Sequence, residues 1–151
     1  RFSTQNGRAQ LTPTPLPELS FPDVDHFGGL ADGERGFVLN LITARSHGQH
    51  NTVVYKAADR YRGMPHRQTL LINPEDLKTF GFEAHDRVTV QGEAGSLEQI
   101  ELIPGSIRQG CGLMFFPEAN VLMRGISDQT CGTPAFTRVP VLIRARVPAM
   151  P

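Results

Sequence analysis

Apolar residues in this chain arrive in strand-length runs, and glycine, proline or asparagine cuts each run short before a long helix could form. The clearest run is Phe37-Val38-Leu39-Asn40-Leu41-Ile42-Thr43, nearly continuous, the pattern of a strand buried on both faces. Thr69-Leu70-Leu71-Ile72 reads as a second strand, and Asn73-Pro74-Glu75-Asp76 then supplies a helix start. Asn73 can accept from first-turn amides, Pro74 sits where its missing N–H costs nothing, and Asp76 favours the positive helix end. Leu77 and Phe80 are expected to face the core, with Gly81 ending a helix of barely two turns. Val88 and Val90, a turn at Gly92-Glu93-Ala94-Gly95, then Ile100 and Leu102 predict a hairpin over residues 87–103. Leu113 to Phe116 is a further short strand. Val141, Ile143, Ala145 and Val147 alternate with Leu142, Arg144 and Arg146, which predicts a closing strand with one wet face. About six short strands and one or two short helices make a mainly β chain, better suited to a closed barrel than to a doubly wound sheet.

A length of 151 residues fits one domain with a real core. Residues 1–35 hold Pro13, Pro15, Pro17 and Pro22, then Gly28, Gly29 and Gly33, with no apolar period, and read as an irregular arm or linker. The barrel is expected over residues 36–148. A chain that begins at Arg1 behind such an arm looks like a piece of something longer. No apolar run approaches a membrane span, and Cys111 and Cys131 are too few for a disulfide scaffold. They are read as free thiols of a cytoplasmic, reducing compartment, and no membrane partner is expected.

The formal net charge is zero, so whole-molecule attraction to nucleic acid is not expected. The local balance differs. Arg45, Lys56, Arg60, Arg62 and Arg67 face the single acid Asp59 between Ala44 and Arg67, with His47, His50 and His66 interleaved. Thr43-Ala44-Arg45-Ser46-His47-Gly48-Gln49-His50-Asn51-Thr52 opens directly from the apolar run of Phe37 to Thr43 and is mostly polar. Polar loops at strand ends are where ligands bind on rigid scaffolds. Threonine, serine and asparagine offer short hydrogen-bonding groups, Arg45 a forked cation, and Gly48 a close backbone approach. This set suits a phosphate joined to a hydrogen-bonding heterocycle, although a solvated surface loop has the same composition.

Other chemistry is thinner. His47 and His50 lack a third metal ligand at recognisable spacing, and Ser46 beside His47 lacks a nucleophile elbow. Gly95-Ser96 and Gly105-Ser106 invite comparison with small double-psi barrels that self-cleave at Gly-Ser to form a pyruvoyl group, but both read more simply as turns. Cys131 has no neighbouring base to activate it, and Glu18, Glu34, Glu75 and Glu118 form no acid–base pair.

Taken in order, Thr43-x-Arg45-x-x-Gly48-Gln49-His50-Asn51-Thr52, Asn73-Pro74-Glu75-Asp76, the strand pair near Gly95, Pro117-Glu118-Ala119-Asn120-Val121-Leu122 and Thr133-Pro134-Ala135-Phe136 make a recognisable series. It resembles the C-terminal molybdopterin-dinucleotide-binding domain of the molybdopterin oxidoreductases. Phe2-x-Thr4-x-x-Gly7-Arg8-Ala9 is similar to the run leading into that domain, so the resemblance spans nearly the whole chain. Asp59-Arg60-Tyr61-Arg62-Gly63 and the Pro117 to Leu122 run look most like formate-dehydrogenase-like alpha subunits.

The resemblance implies a six-stranded double-psi β-barrel that holds a molybdopterin guanine dinucleotide. In the full enzyme it implies a bis form of that cofactor with molybdenum, and an iron–sulfur cluster in upstream catalytic domains of the same polypeptide. Thr43, Arg45, Ser46, Gly48, Gln49, His50, Asn51 and Thr52 would line the pterin and phosphate side. Asn120, Thr133, Pro134 and Phe136 would close the pocket from other strands. Thr137 stands where the family often has lysine, and Arg138 follows as the alternative cation. The chain alone is then a non-catalytic part of an oxidoreductase. A self-processing pyruvoyl decarboxylase and a protein-binding barrel module are the competing expectations.

Overall fold

The computed structural model describes residues 2–11, 13, 15, 21–127, 129, 132–134 and 139–147. A single turn of 3-10 helix, Asp25–Phe27, precedes β1 (Glu34–Ala44). A short ribbon follows, β2 (Gln49–His50) with β3 (Val53–Val54), then β4 (Thr69–Ile72), α1 (Pro74–Thr79), β5 (Arg87–Gln91) and β6 (Ser96–Pro104). After β7 (Cys111–Phe115) come a 3-10 helix, Glu118–Leu122, and β8 (Val139–Arg146). Six strands close a barrel in the order β1-β7-β4-β6-β5-β8, as expected from the run lengths and from the resemblance. Two seams are parallel, β1 with β7 and β4 with β6, and the other four are antiparallel.

Inward-facing residues fill the barrel: Phe37, Leu39 and Leu41 from β1, Leu70 and Ile72 from β4, Val88 and Val90, Ile100 and Leu102, Met114, and Val139, Val141 and Ile143. Leu77, Phe82, Ala119 and Leu122 pack onto the same core. A second, smaller cluster lies apart from it, where Met64 packs with Leu71, Ile103 and Phe115. Met64 comes from the long excursion between β1 and β4, so burying its side chain ties that excursion to the barrel.

The details depart from the sequence expectation in three places. β1 alternates instead of burying both faces, since Phe37, Leu39 and Leu41 are buried while Val38, Asn40 and Ile42 are half-exposed. In β8 the expected wet face is partly dry, because Leu142 is fully buried while Arg144 and Arg146 reach water. Phe80, expected in the core, is 40 % exposed and stacks on Phe37 with ring centroids 4.0 Å apart.

The connection from β4 into α1 follows its sequence signature. Asn73 Oδ1 accepts from the Glu75 amide at 2.8 Å, and Pro74 opens the helix. The Asn73 side-chain amide also donates to Ile107 O at 2.6 Å, stitching the cap to the chain beyond β6. At the other end Gly81 takes φ +72°, and the Phe82 amide reaches back to Leu77 O at 2.8 Å in a glycine-terminated helix end. Asp76 does more than favour the helix end, because its buried carboxylate accepts from the Gly110 amide at 2.8 Å. Among the described residues no helix is long and apolar enough to cross a membrane.

Asn73→Ala removes both the cap and the bond to Ile107, and is expected to lower stability by ~1–3 kcal/mol. Urea denaturation with an unchanged m-value measures it.

Candidate functional site

Parallel pairing of β1 with β7 sends two stretches of chain out over one rim. Thr43 is opposite Met114 and Ala44 opposite Phe115, and the Phe116 amide donates to Ala44 O at 3.2 Å just beyond the last pair. The polar stretch singled out in the sequence therefore leaves the barrel beside the segment from Phe116 into the Glu118–Leu122 helix.

One side chain joins them. Arg67, 11 % exposed, forks onto the Glu118 carboxylate through Nε and through Nη2, the latter at 2.7 Å. Its Nη1 donates to Ser46 Oγ at 2.8 Å, and Nη2 also to Gln49 Oε1 at 3.0 Å and Phe116 O at 2.7 Å. The guanidinium also lies over the Phe115 ring, 5.2 Å from its centroid. Burial pushes the Glu118 carboxyl up, but the Arg67 hydrogen bond, the residue's own backbone amide and the Arg67 charge together outweigh it, so the group sits below its ordinary 4.5.

A second knot organises the same excursion. Asp59 is fully buried, and its carboxylate accepts from the amides of His47 at 3.0 Å, Tyr61 at 3.1 Å and Arg62 at 3.3 Å, and from the Arg62 guanidinium at 2.6 Å. Burial raises the pKa of this carboxyl, and those donors more than reverse it, leaving the group below its ordinary 3.8. Asp59 also pairs with Met64 in an isolated bridge, so the knot continues into the buried Met64 anchor.

Against this frame the predicted residues divide. Ser46 and Gln49 are buried, with their side chains engaged by Arg67, and Gln49 Nε2 also donates to Asn51 O at 2.7 Å. Gly48 does not leave room for a ligand: a Cβ there would meet the Lys56 Cβ at 2.7 Å, so the glycine serves the packing of Lys56 against the ribbon. Arg45, His47, His50, Asn51 and Thr52 are exposed, with Asn51 at φ +50° in the turn of the ribbon. Thr43 ends its strand half-exposed. Asn120 is exposed, two residues along the 3-10 helix from Glu118, and so belongs to the rim. Thr133 and Pro134 are exposed, and Pro134 is bridged to Ser127. Phe136, Thr137, Arg138 and Cys131 lie outside the described residues.

The basic cluster also divides. Arg62 and Arg67 are neutralised by Asp59 and Glu118. Among the described residues Arg45, Lys56 and Arg60 have no carboxylate partner; Arg45 lies 5.9 Å from the Phe116 ring centroid and Arg60 4.8 Å from that of Tyr61. Three cations near one rim, beside exposed amide and hydroxyl side chains, form a donor set that fits a phosphate and a hydrogen-bonding ring.

Other candidates separate on geometry. Ser46 Oγ faces Gln49 and Arg67, whereas the His47 ring meets Tyr61 edge-on at 4.3 Å, so the two do not act as nucleophile and base. Among the described residues no group of three or more His, Cys, Asp or Glu could hold a metal ion. Gly95 and Gly105 are accounted for by close packing on Val121 and Leu71. Sequence reasoning missed Arg67 and Asp59 as organisers. The available signal was Asp59 as the lone acid in a basic stretch.

The model of the molydopterin dinucleotide binding domain matches residues 39–140. Uncharacterized oxidoreductases of Mycobacterium bovis and Mycobacterium tuberculosis are 33 % identical over 132 residues, covering 81 % of this chain and 15 % of theirs. Protein YdeP of Escherichia coli is 28 % identical over 139 residues, 85 % of this chain and 18 % of that protein. The chain thus spans less than a fifth of the length of these relatives. Acetylene hydratase from Pelobacter acetylenicus is similar in fold over 72 % of this chain and 18 % of its own, with a TM-score of 0.50 and 14 % identity.

Because the Glu118 and Asp59 carboxyls are lowered on folding, their contribution is complete above their ordinary values and lost as pH falls through the folded ones. Denaturant midpoints are expected to fall below about pH 4.5. Glu118→Gln should lower the midpoint at neutral pH and flatten part of that acid slope.

Proposed function

The chain belongs to the molydopterin dinucleotide binding domain family, and from that premise we propose that its β1–β7 rim is one wall of the site that holds a molybdopterin guanine dinucleotide. The observation that carries the reading is the cationic rim: Arg45, Lys56 and Arg60, without carboxylate partners among the described residues, beside exposed His50, Asn51, Thr52 and Asn120. Arg45 would neutralise the pyrophosphate, and a guanidinium on a phosphate is worth more than a neutral contact. Thr43, His50, Asn51 and Thr52 would meet pterin or guanine edges. Asn120 would do so from the β7 side, and Thr133, Pro134 and Phe136 would complete the pocket. Ser46, Gly48 and Gln49 act through the backbone they shape.

We extend the reading to the longer protein on two grounds. Relatives far longer than this chain carry the name oxidoreductase, and the Asp59 to Gly63 and Pro117 to Leu122 runs resemble formate-dehydrogenase-like subunits. The proposal is a molybdenum enzyme of that type, with a bis-pterin molybdenum centre and an iron–sulfur cluster in the upstream domains. Once bound, the cofactor supplies the redox chemistry, and this domain supplies binding and electrostatics. Cys111 is a free thiol, in keeping with a cytoplasmic, reducing setting.

In the full polypeptide, Arg45→Ala is expected to weaken pterin dinucleotide binding by about 10- to 100-fold while leaving thermal stability nearly unchanged. Pterin released per purified polypeptide measures occupancy. Wild-type pterin content in that variant would overturn the assignment of Arg45.

A further inference from the structure

We infer that Arg67 is the positioning residue of this rim, holding the walls that follow β1 and β7 in one arrangement without touching the ligand itself. The inference rests on the proposed cofactor site and adds how its two walls are coupled. A guanidinium has five N–H donors in a rigid fork and no acceptor. Arg67 aims them at Ser46 and Gln49 on the β1 side and at Phe116 O and Glu118 on the β7 side. Its nitrogens are directed inward, and with 11 % of its side chain exposed it is poorly placed to meet an anion from solvent.

The consequence is directional. Gln49, held through Oε1, supports Asn51 O through Nε2, so the turn that presents Asn51 and Thr52 depends on the fork. Glu118 opens the 3-10 helix that carries Asn120. Release of the fork frees both walls while the barrel core remains, because Leu70, Leu102 and Val141 pack independently of it. Lysine cannot substitute, since one ammonium cannot bridge acceptors on both sides in the same plane.

The test uses the full polypeptide as wild type and as Arg67→Met, Arg67→Lys and Ser46→Ala. Limited trypsin digestion, resolved by mass spectrometry, reads cleavage after Arg45, Lys56 and Arg60 against the control site Arg87. Released pterin per polypeptide reads occupancy. Both Arg67 variants are expected to raise cleavage in the excursion at least about tenfold, with the control rate unchanged, and to lose most of the pterin. Ser46→Ala, which removes one acceptor and adds no volume, should give a smaller change in the same direction, and it keeps the test valid if the Arg67 variants fail to fold. Unchanged excursion cleavage, full pterin in Arg67→Met, or full rescue by lysine would overturn the inference. A wild-type polypeptide without pterin would instead overturn the cofactor reading, and the cleavage result would still decide the role of Arg67.

Discussion

Parallel pairing of β1 with β7 is the constraint from which the rest of the site follows. Parallel neighbours point the same way, so the chain leaves both strands at one rim, and two stretches separated by some seventy residues in sequence become adjacent walls. Closure of the barrel makes that rim rigid, because β1 is hydrogen-bonded to β8 on its other side from Glu34 to Leu41. A ligand wall built on strand ends inherits the precision of the strands.

The excursion between β1 and β4 would otherwise be a long polar loop with little to order it. Three devices hold it: Met64 buried on a patch outside the barrel, the Asp59 carboxylate gathering backbone amides, and the Arg67 fork. The last two are charged groups shielded from water, and such groups persist only when their hydrogen-bonding capacity is met. Satisfying them also neutralises two of the five cations in the segment, and the positive character of the rim comes to rest on Arg45, Lys56 and Arg60. A chain of zero net charge can thus present a locally positive surface.

The fold was largely legible in the sequence because its signals are local. Period-two alternation at Val88 and Val90, the Asn73-Pro74 helix start and Gly81 all depend on neighbours a few residues away, and each appears where expected. Phe80 and Leu142 were misjudged because the side of a short element that stays wet depends on what packs over it, which no local pattern records. The site was legible as a place but less so as a set of roles. Ser46, Gly48 and Gln49 carry binding-type chemistry in the sequence, yet Arg67 and Lys56, residues from further along the chain, engage them. The ribbon of β2 and β3 was not expected, since two-residue strands leave no periodicity to read.

The proposed site puts the cofactor against the β1–β7 rim. Amide hydrogen exchange on the full polypeptide, compared with and without its pterin dinucleotide, tests it directly. Slower exchange concentrated in residues 43–52 and 117–122 is expected when the cofactor is bound, with the 92–95 turn unchanged. Protection at that turn, with the rim unaltered, would contradict it.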